Sequence, residues 1–169
     1  MLEKFAEKGN SEKFQLPKPI INKGGCNLSF AGLKTAVLKI SKKIKTNQDK
    51  YDLAASFQKT IEKILYRKSE VAFTEFKKIS GKKRNTFVVA GGVAANKNIR
   101  KILTNLSLKE NFEPIFPPLD LCGDNAAMIA MVGLEKFKIK KFDNFDHPAK
   151  PRWPLDSTAV FLKGAGIKL

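Results

Sequence analysis

Two short stretches hold residues whose types and spacing suit ligand chemistry. The first is Ala90-Gly91-Gly92-Val93-Ala94-Ala95-Asn96-Lys97, where an apolar run meets paired glycines and then a helix start. Glycines after a strand allow a tight turn and let a ligand lie against bare backbone, and the N–H groups of a helix N-terminus attract an anion. Gly91, Gly92 and Asn96 are therefore candidate nucleotide-binding residues. The segment has neither the Gly-Lys-Ser/Thr end of a P-loop nor the spacing of GxGxxG. A close helix–strand contact with Asn96 as an N-cap explains the same spacing. The second stretch is Leu121-Cys122-Gly123-Asp124-Asn125-Ala126-Ala127-Met128-Ile129-Ala130. The carboxyl ends of neighbouring strands in an α/β sheet converge on one crevice, so Asp124 and Asn96 can face one ligand. Asp124 is either an oxygen donor to a metal that holds phosphates or the cap of its own helix.

The elements that must position these residues follow from periodicity and punctuation. Leu2 to Lys8 reads as a short helix ended by Gly9, and Phe14–Leu16 and Leu28–Phe30 as brief extended pieces around a loop holding Pro17, Pro19, Gly24 and Gly25. From Gly32 the apolar residues Leu33, Val37, Ile40 and Ile44 predict a helix whose other faces carry Lys39, Lys42, Lys43 and Lys45. A longer helix is expected from Asp49 to Ile79, with Leu53, Phe57, Ile61, Ile64 and Leu65 as its stripe and Gly81 as its stop. Thr86-Phe87-Val88-Val89-Ala90 reads as a strand buried on both faces. A helix from Asn96 to Leu106, a short strand at Pro114–Phe116 and a helix from Asp124 to Lys138 follow. The last is apolar nearly all round, which predicts burial. Beyond Lys140 an extended, wrapping tail is expected, and no internal repeat is present.

A length of 169 residues suits one domain with a real core, and 43% hydrophobic residues exclude a disordered tail. The outlying quantity is charge: 32 Lys plus Arg against 16 Asp plus Glu give +16, with arginine confined to Arg67, Arg84, Arg100 and Arg152. A polyanionic partner would explain this surplus, and so would a lysine-rich proteome. The surplus is uneven, with +12 over residues 1–85, zero over 86–133 and +4 over 134–169. No apolar run reaches the roughly 18 residues needed to span a bilayer, and the start has no signal-peptide core, so a cytoplasmic protein without membrane attachment is expected. Cys26 and Cys122 fit neither a disulfide framework nor zinc spacing and are expected as free thiols. The single His147 argues against a His-rich metal site or a Ser-His-Asp hydrolase within this chain.

Five ordered segments carry a family resemblance: Ser29-Phe30-Ala31-Gly32-Leu33-Lys34-Thr35, Asp52-Leu53-Ala54-Ala55-Ser56-Phe57-Gln58, Ala90 to Asn96, Cys122 to Ala130, and Pro151-Arg152-Trp153-Pro154-Leu155. Together they resemble the C-terminal half of the TsaD family of tRNA adenosine threonylcarbamoyltransferases, formerly called glycoproteases. The resemblance implies a helix-rich α/β chain forming the C-terminal lobe of an actin-like (ASKHA, ribonuclease H-like) ATPase fold with an incomplete sheet. It places that lobe at residues 1–156, with a C-terminal tail at 157–169. The implied activity is transfer of threonylcarbamoyl from threonylcarbamoyl-AMP to the adenine next to the anticodon of tRNAs reading codons that start with A. The resemblance implies that Asn96, with Gly91 and Gly92, contacts the adenylate. It also implies that Asp124 is one ligand of a divalent metal, iron or zinc. Two histidines of a His-x-x-x-His motif in the N-terminal half would complete that metal site, and they are absent from these 169 residues, as is a glycine-rich segment of the same half. Gly123 stands where many members have threonine. Implied partners are tRNA, small partner proteins, an enzyme that makes the adenylate, and the missing N-terminal half. An inactive truncated paralogue serving as scaffold or tRNA-binding module is the alternative, and another actin-like protein such as a sugar kinase is disfavoured by the joint match at Ser29–Thr35 and Pro151–Leu155.

Overall fold

The computed structural model describes residues 2–81, 85–146 and 148. Its elements are α1 (Leu2–Ala6), α2 (Ala31–Ser41), α3 (Asn47–Ser80), β1 (Asn85–Val88), α4 (Lys97–Lys109), β2 (Phe112–Ile115) and α5 (Ala126–Lys138), with 3-10 turns at Gly92–Ala95 and Leu119–Leu121. The contacts divide the chain into two compact units, Met1–Asp124 and Asn125–Leu169. The segments expected to be extended at Phe14–Leu16 and Leu28–Phe30 are irregular loop instead. They are too short, and too close to prolines and glycines, to find a ladder partner.

The 34-residue α3 is the spine of the first unit. A capping box starts it: Thr46 Oγ1 accepts the Asp49 N–H at 3.0 Å, and the Asp49 carboxylate accepts the Thr46 N–H at 3.3 Å. Gly81 ends it in the left-handed region, φ 60°. Its apolar stripe joins Leu53 and Ile64 to Leu33 of α2 and Leu16 of the preceding loop. Buried polar residues on α3 then pin that loop. Asp52 accepts the Asn10 N–H at 2.7 Å and Gln48 Nε2 at 2.8 Å, and Ser56 Oγ accepts the Phe14 N–H at 3.2 Å. Lys68 Nζ donates to the carbonyls of Lys23 at 2.7 Å and Gly25 at 3.0 Å. The bonds from Asn10 and Gln48, aided by the Lys13 charge, hold the Asp52 carboxyl below its usual range against the desolvation that opposes them. α1 stops at Ala6, short of the expected Lys8, and Gly9 permits a close approach to α3, since a Cβ there would lie 2.0 Å from the Tyr51 carbonyl oxygen.

β1, α4 and β2 form a βαβ unit in which the two strands pair in parallel, Asn85 opposite Phe112 and Val88 opposite Ile115. The inner face packs through Phe73 of α3, which stacks on Phe112 at 4.1 Å and meets Phe87 edge-on at 4.7 Å, with Leu106 of α4 completing the cluster. The outer face corrects the expectation of a strand buried on both sides. Thr86 and Val88 are exposed, Val88 at 62%, as is Ile115 of β2. Apolar patterning marks the surfaces that need cover, and among the described residues the helices cover one face only. The same correction applies to α5, expected to be buried: none of its residues is buried, and Ile129 and Phe137 are each about two-thirds exposed. After α5 the described residues 141–146 are without helix or strand. The expectations for His147, Pro151–Leu155 and the 157–169 tail lie outside the described residues.

Candidate functional site

The turn after β1 depends on Gly91, whose φ of 87° is open to glycine and strained for other residues. A Cβ at Gly91 or Gly92 would meet no atom within 4 Å, so both present bare, exposed backbone. The 3-10 turn Gly92–Ala95 buries Ala94 and delivers Asn96 to the start of α4. Asn96 is half-buried and its amide is engaged at both ends: Oδ1 accepts the Ile99 N–H at 3.0 Å, and Nδ2 donates to Gln58 Oε1 at 2.9 Å. The capping role anticipated for Asn96 is present, and one Nδ2 proton is left over. The α4 N-terminus is less open to an anion than its sequence suggests. Glu3 of α1 accepts the Lys97 N–H at 2.8 Å, so a carboxylate of this chain already occupies part of it.

The turn after β2 runs through Pro117 and Pro118 to the buried Cys122, and then to Gly123 and Asp124, both exposed. Asp124 does not cap α5. Asn125 does, accepting the Met128 N–H at 3.0 Å, because its extended backbone sits one residue closer to the helix start. This removes the capping explanation for Asp124, whose carboxylate makes no hydrogen bond or ion pair among the described residues.

Arg100 ties the two turns together, and sequence reasoning missed it. Its guanidinium donates to the Ala94 carbonyl after β1, to the Pro117 carbonyl after β2 at 2.7 Å and to Cys122 Sγ at 3.0 Å, and lies 5.0 Å from the Phe116 ring centroid. Arginine suits this work because its rigid fork donates in several directions from one plane. The available signal was a rare arginine in a lysine-rich chain, one helical turn beyond Asn96.

Beside the glycine turn lies an apolar groove of about 460 Å³ bordered by Phe30, Leu33, Lys34, Phe57, Ile61 and Val93. The fold thus brings the Ser29–Thr35, Asp52–Gln58 and Ala90–Asn96 segments to one place. No three His, Cys, Asp or Glu side chains converge among the described residues. A catalytic metal site needs several protein ligands and an open position, so Asp124 by itself does not hold one.

The family model for TsaD, tRNA N6-adenosine threonylcarbamoyltransferase, matches residues 1–131. The chain belongs to the TsaD family. The tRNA N6-adenosine threonylcarbamoyltransferase of Pelagibacter ubique (strain HTCC1062) is 72% identical over 168 residues, covering 99% of this chain and 47% of that protein. Its counterpart in Rickettsia rickettsii (strain Sheila Smith) is 44% identical over 158 residues, covering 92% of this chain and 46% of the relative. That of Rhodospirillum rubrum is 42% identical over 169 residues, with 98% and 46% covered. The chain therefore spans about half the length of the curated TsaD relatives it matches. Its helix-rich α/β architecture with a two-stranded parallel sheet is part of the actin-like fold of TsaD proteins.

Proposed function

We propose that this chain is the C-terminal lobe of a TsaD enzyme and supplies one side of the cleft in which threonylcarbamoyl passes from threonylcarbamoyl-AMP to adenine next to the anticodon of a tRNA. The observation that carries the reading is the meeting of three family segments at the end of β1: the bare Gly91–Gly92 backbone, the half-buried Asn96 amide, and the apolar groove edged by Phe30 and Lys34. Bare backbone beside an apolar slot with one polar anchor is suited to a nucleoside monophosphate moiety. Gly91, Gly92 and Asn96 hold the adenylate, and Arg100 fixes the turn after β2 relative to them.

Asp124 contributes one oxygen donor toward a divalent metal, iron or zinc, with the remaining donors coming from an N-terminal half outside this chain. The exposed Lys39, Lys42, Lys43 and Lys45, on and just beyond α2, contribute salt-sensitive phosphate contacts to the tRNA. The tRNA substrate places this work in the cytoplasm. Among the described residues no helix is long and apolar enough to cross a membrane. Small partner proteins and an adenylate-forming enzyme complete the system.

Reconstitution tests the reading. The chain alone is expected to give no transfer of labelled threonylcarbamoyl to tRNA, and co-expression with the N-terminal half of a full-length relative is expected to restore it. Robust transfer by the chain alone contradicts the division of labour. Binding of tRNA without transfer after reconstitution identifies an inactive scaffold instead.

A further inference from the structure

Gln58 and Glu62 lie buried on α3 one turn apart, and adenylate contact at Asn96 by itself gives neither of them a role. They join a chain of three hydrogen bonds. Gln58 Nε2 donates to Glu62 Oε1 at 3.2 Å, Asn96 Nδ2 donates to Gln58 Oε1 at 2.9 Å, and the Ile99 N–H donates to Asn96 Oδ1 at 3.0 Å. Both ends of this chain have fixed polarity. An ionised carboxylate only accepts and a backbone N–H only donates. Gln58 must therefore turn its NH2 to Glu62 and its oxygen to Asn96, and Asn96 must turn its oxygen to Ile99 and its NH2 to Gln58. A flipped Asn96 amide would set NH2 against N–H on one side and oxygen against oxygen on the other.

We propose that Glu62 and Gln58 are positioning residues that lock the Asn96 amide in one orientation, so that its remaining Nδ2 proton is held ready for an acceptor atom of the nucleotide. The ligand's identity rests on the adenylate reading, whereas the lock does not. A donor that is already ordered spares the bound state the cost of ordering it. This gives the Asp52–Gln58 segment a function at its last residue, as Asp52 and Ser56 have at the loop they pin.

The polarity can be reversed, which makes it testable. Asn96→Asp keeps the cap, because Asp accepts the Ile99 N–H about as well as Asn, but it sets a carboxylate oxygen against Gln58 Oε1. Gln58 must then turn round and present its oxygen to Glu62. Adding Glu62→Gln supplies a donor at that end and reverses both side-chain bonds while the Ile99 bond is kept, whereas Glu62→Met removes the same charge and supplies no donor. In denaturant unfolding of the full chain, Asn96→Asp should raise the unfolding constant by roughly tenfold, and Glu62→Gln should recover most of that loss. Glu62→Met should not, and Glu62→Gln alone should change the constant by less than about threefold. If Asn96→Asp does not fold, the lock predicts that Asn96→Asp/Glu62→Gln folds and that Asn96→Asp/Glu62→Met does not. Additive effects, or equal rescue by Glu62→Gln and Glu62→Met, overturn the lock.

The ligand arm uses AMP and the chain reconstituted with an N-terminal half. The double variant Asn96→Asp/Glu62→Gln recovers its fold but offers a carboxylate oxygen where the wild type offers a proton, so its AMP affinity should be roughly tenfold or more below wild type. Wild-type affinity in that double variant overturns the donor role of Asn96. If AMP binds to no version while the stability cycle is non-additive, the lock stands and the adenylate reading fails.

Discussion

At the end of β1, Asn96 is held from two sides by Ile99 and Gln58, while at the end of β2 Asp124 stands exposed with no bond of its own among the described residues. Both residues follow a strand of the same βαβ unit and both precede a helix, yet among the described residues only Asn96 is held by side-chain hydrogen bonds. Under the proposed roles the difference is chemical. An amide that must offer one proton to a ligand gains from being oriented in advance, and the buried polar face of α3 provides that orientation. A carboxylate that must bind a cation gains from keeping its lone pairs uncommitted until the other donors arrive. The backbone around Asp124 is still anchored, since Arg100 grips Pro117 and Cys122 only a few residues upstream. The described residues thus anchor the backbone near Asp124 without bonding its carboxylate.

Arg100 connects the two regions, so its removal should have the largest effect on this chain's stability. Arg100→Ala leaves the Ala94 and Pro117 carbonyls and Cys122 without their charged donor, which should cost roughly 2–4 kcal/mol. The loss should appear in denaturant unfolding, together with faster amide exchange at residues 119–122. Unchanged exchange there would show that the two turns are held independently.

A smaller effect, dependent on pH, is expected at Asp52, which anchors the loop at Asn10. Asn retains one oxygen for the Asn10 N–H, so Asp52→Asn removes the charge and keeps part of the bonding. The folded carboxyl lies below its usual value, chiefly through the Asn10 and Gln48 bonds and helped by Lys13, so its stabilisation is complete above the unfolded value and is lost as pH falls through the folded one. The stability gap between wild type and Asp52→Asn, present at pH 7, should close on acidification below about pH 4. A gap that persists at pH 2 would place the contribution in packing.

Much of this was legible in the residues themselves. The periodic apolar positions of α2 and α3, the Gly81 stop, the Asn96 cap and the glycine turn all follow from local chemistry that depends on near neighbours in sequence. Features set by distant partners were not legible. Val88 and the apolar residues of α5 read as buried because their patterning records a need for cover, yet Val88 is 62% exposed and no residue of α5 is buried. The cap of α5 fell to Asn125 and not to Asp124 because a one-residue difference in where helical dihedrals begin cannot be read from side-chain types. Arg100 reaches Pro117 and Cys122, 17 and 22 positions away, and Asn96 reaches Gln58, 38 positions away, and no spacing rule links these pairs.

The proposed division, in which Asp124 serves the metal and Asn125 caps the helix, is tested most directly by metal content measured beside metal-free stability. In the chain reconstituted with its N-terminal half, Asp124→Asn should lose bound metal and reduce transfer by at least about 100-fold. Its metal-free melting should stay within about 0.5 kcal/mol of wild type, because no bond among the described residues is removed. Asn125→Ala should do the opposite, lowering metal-free stability by about 1 kcal/mol through the lost cap while metal is retained. The stability comparison is made without metal because bound metal stabilises the folded state by mass action. Full metal content and full transfer activity in Asp124→Asn would contradict the account.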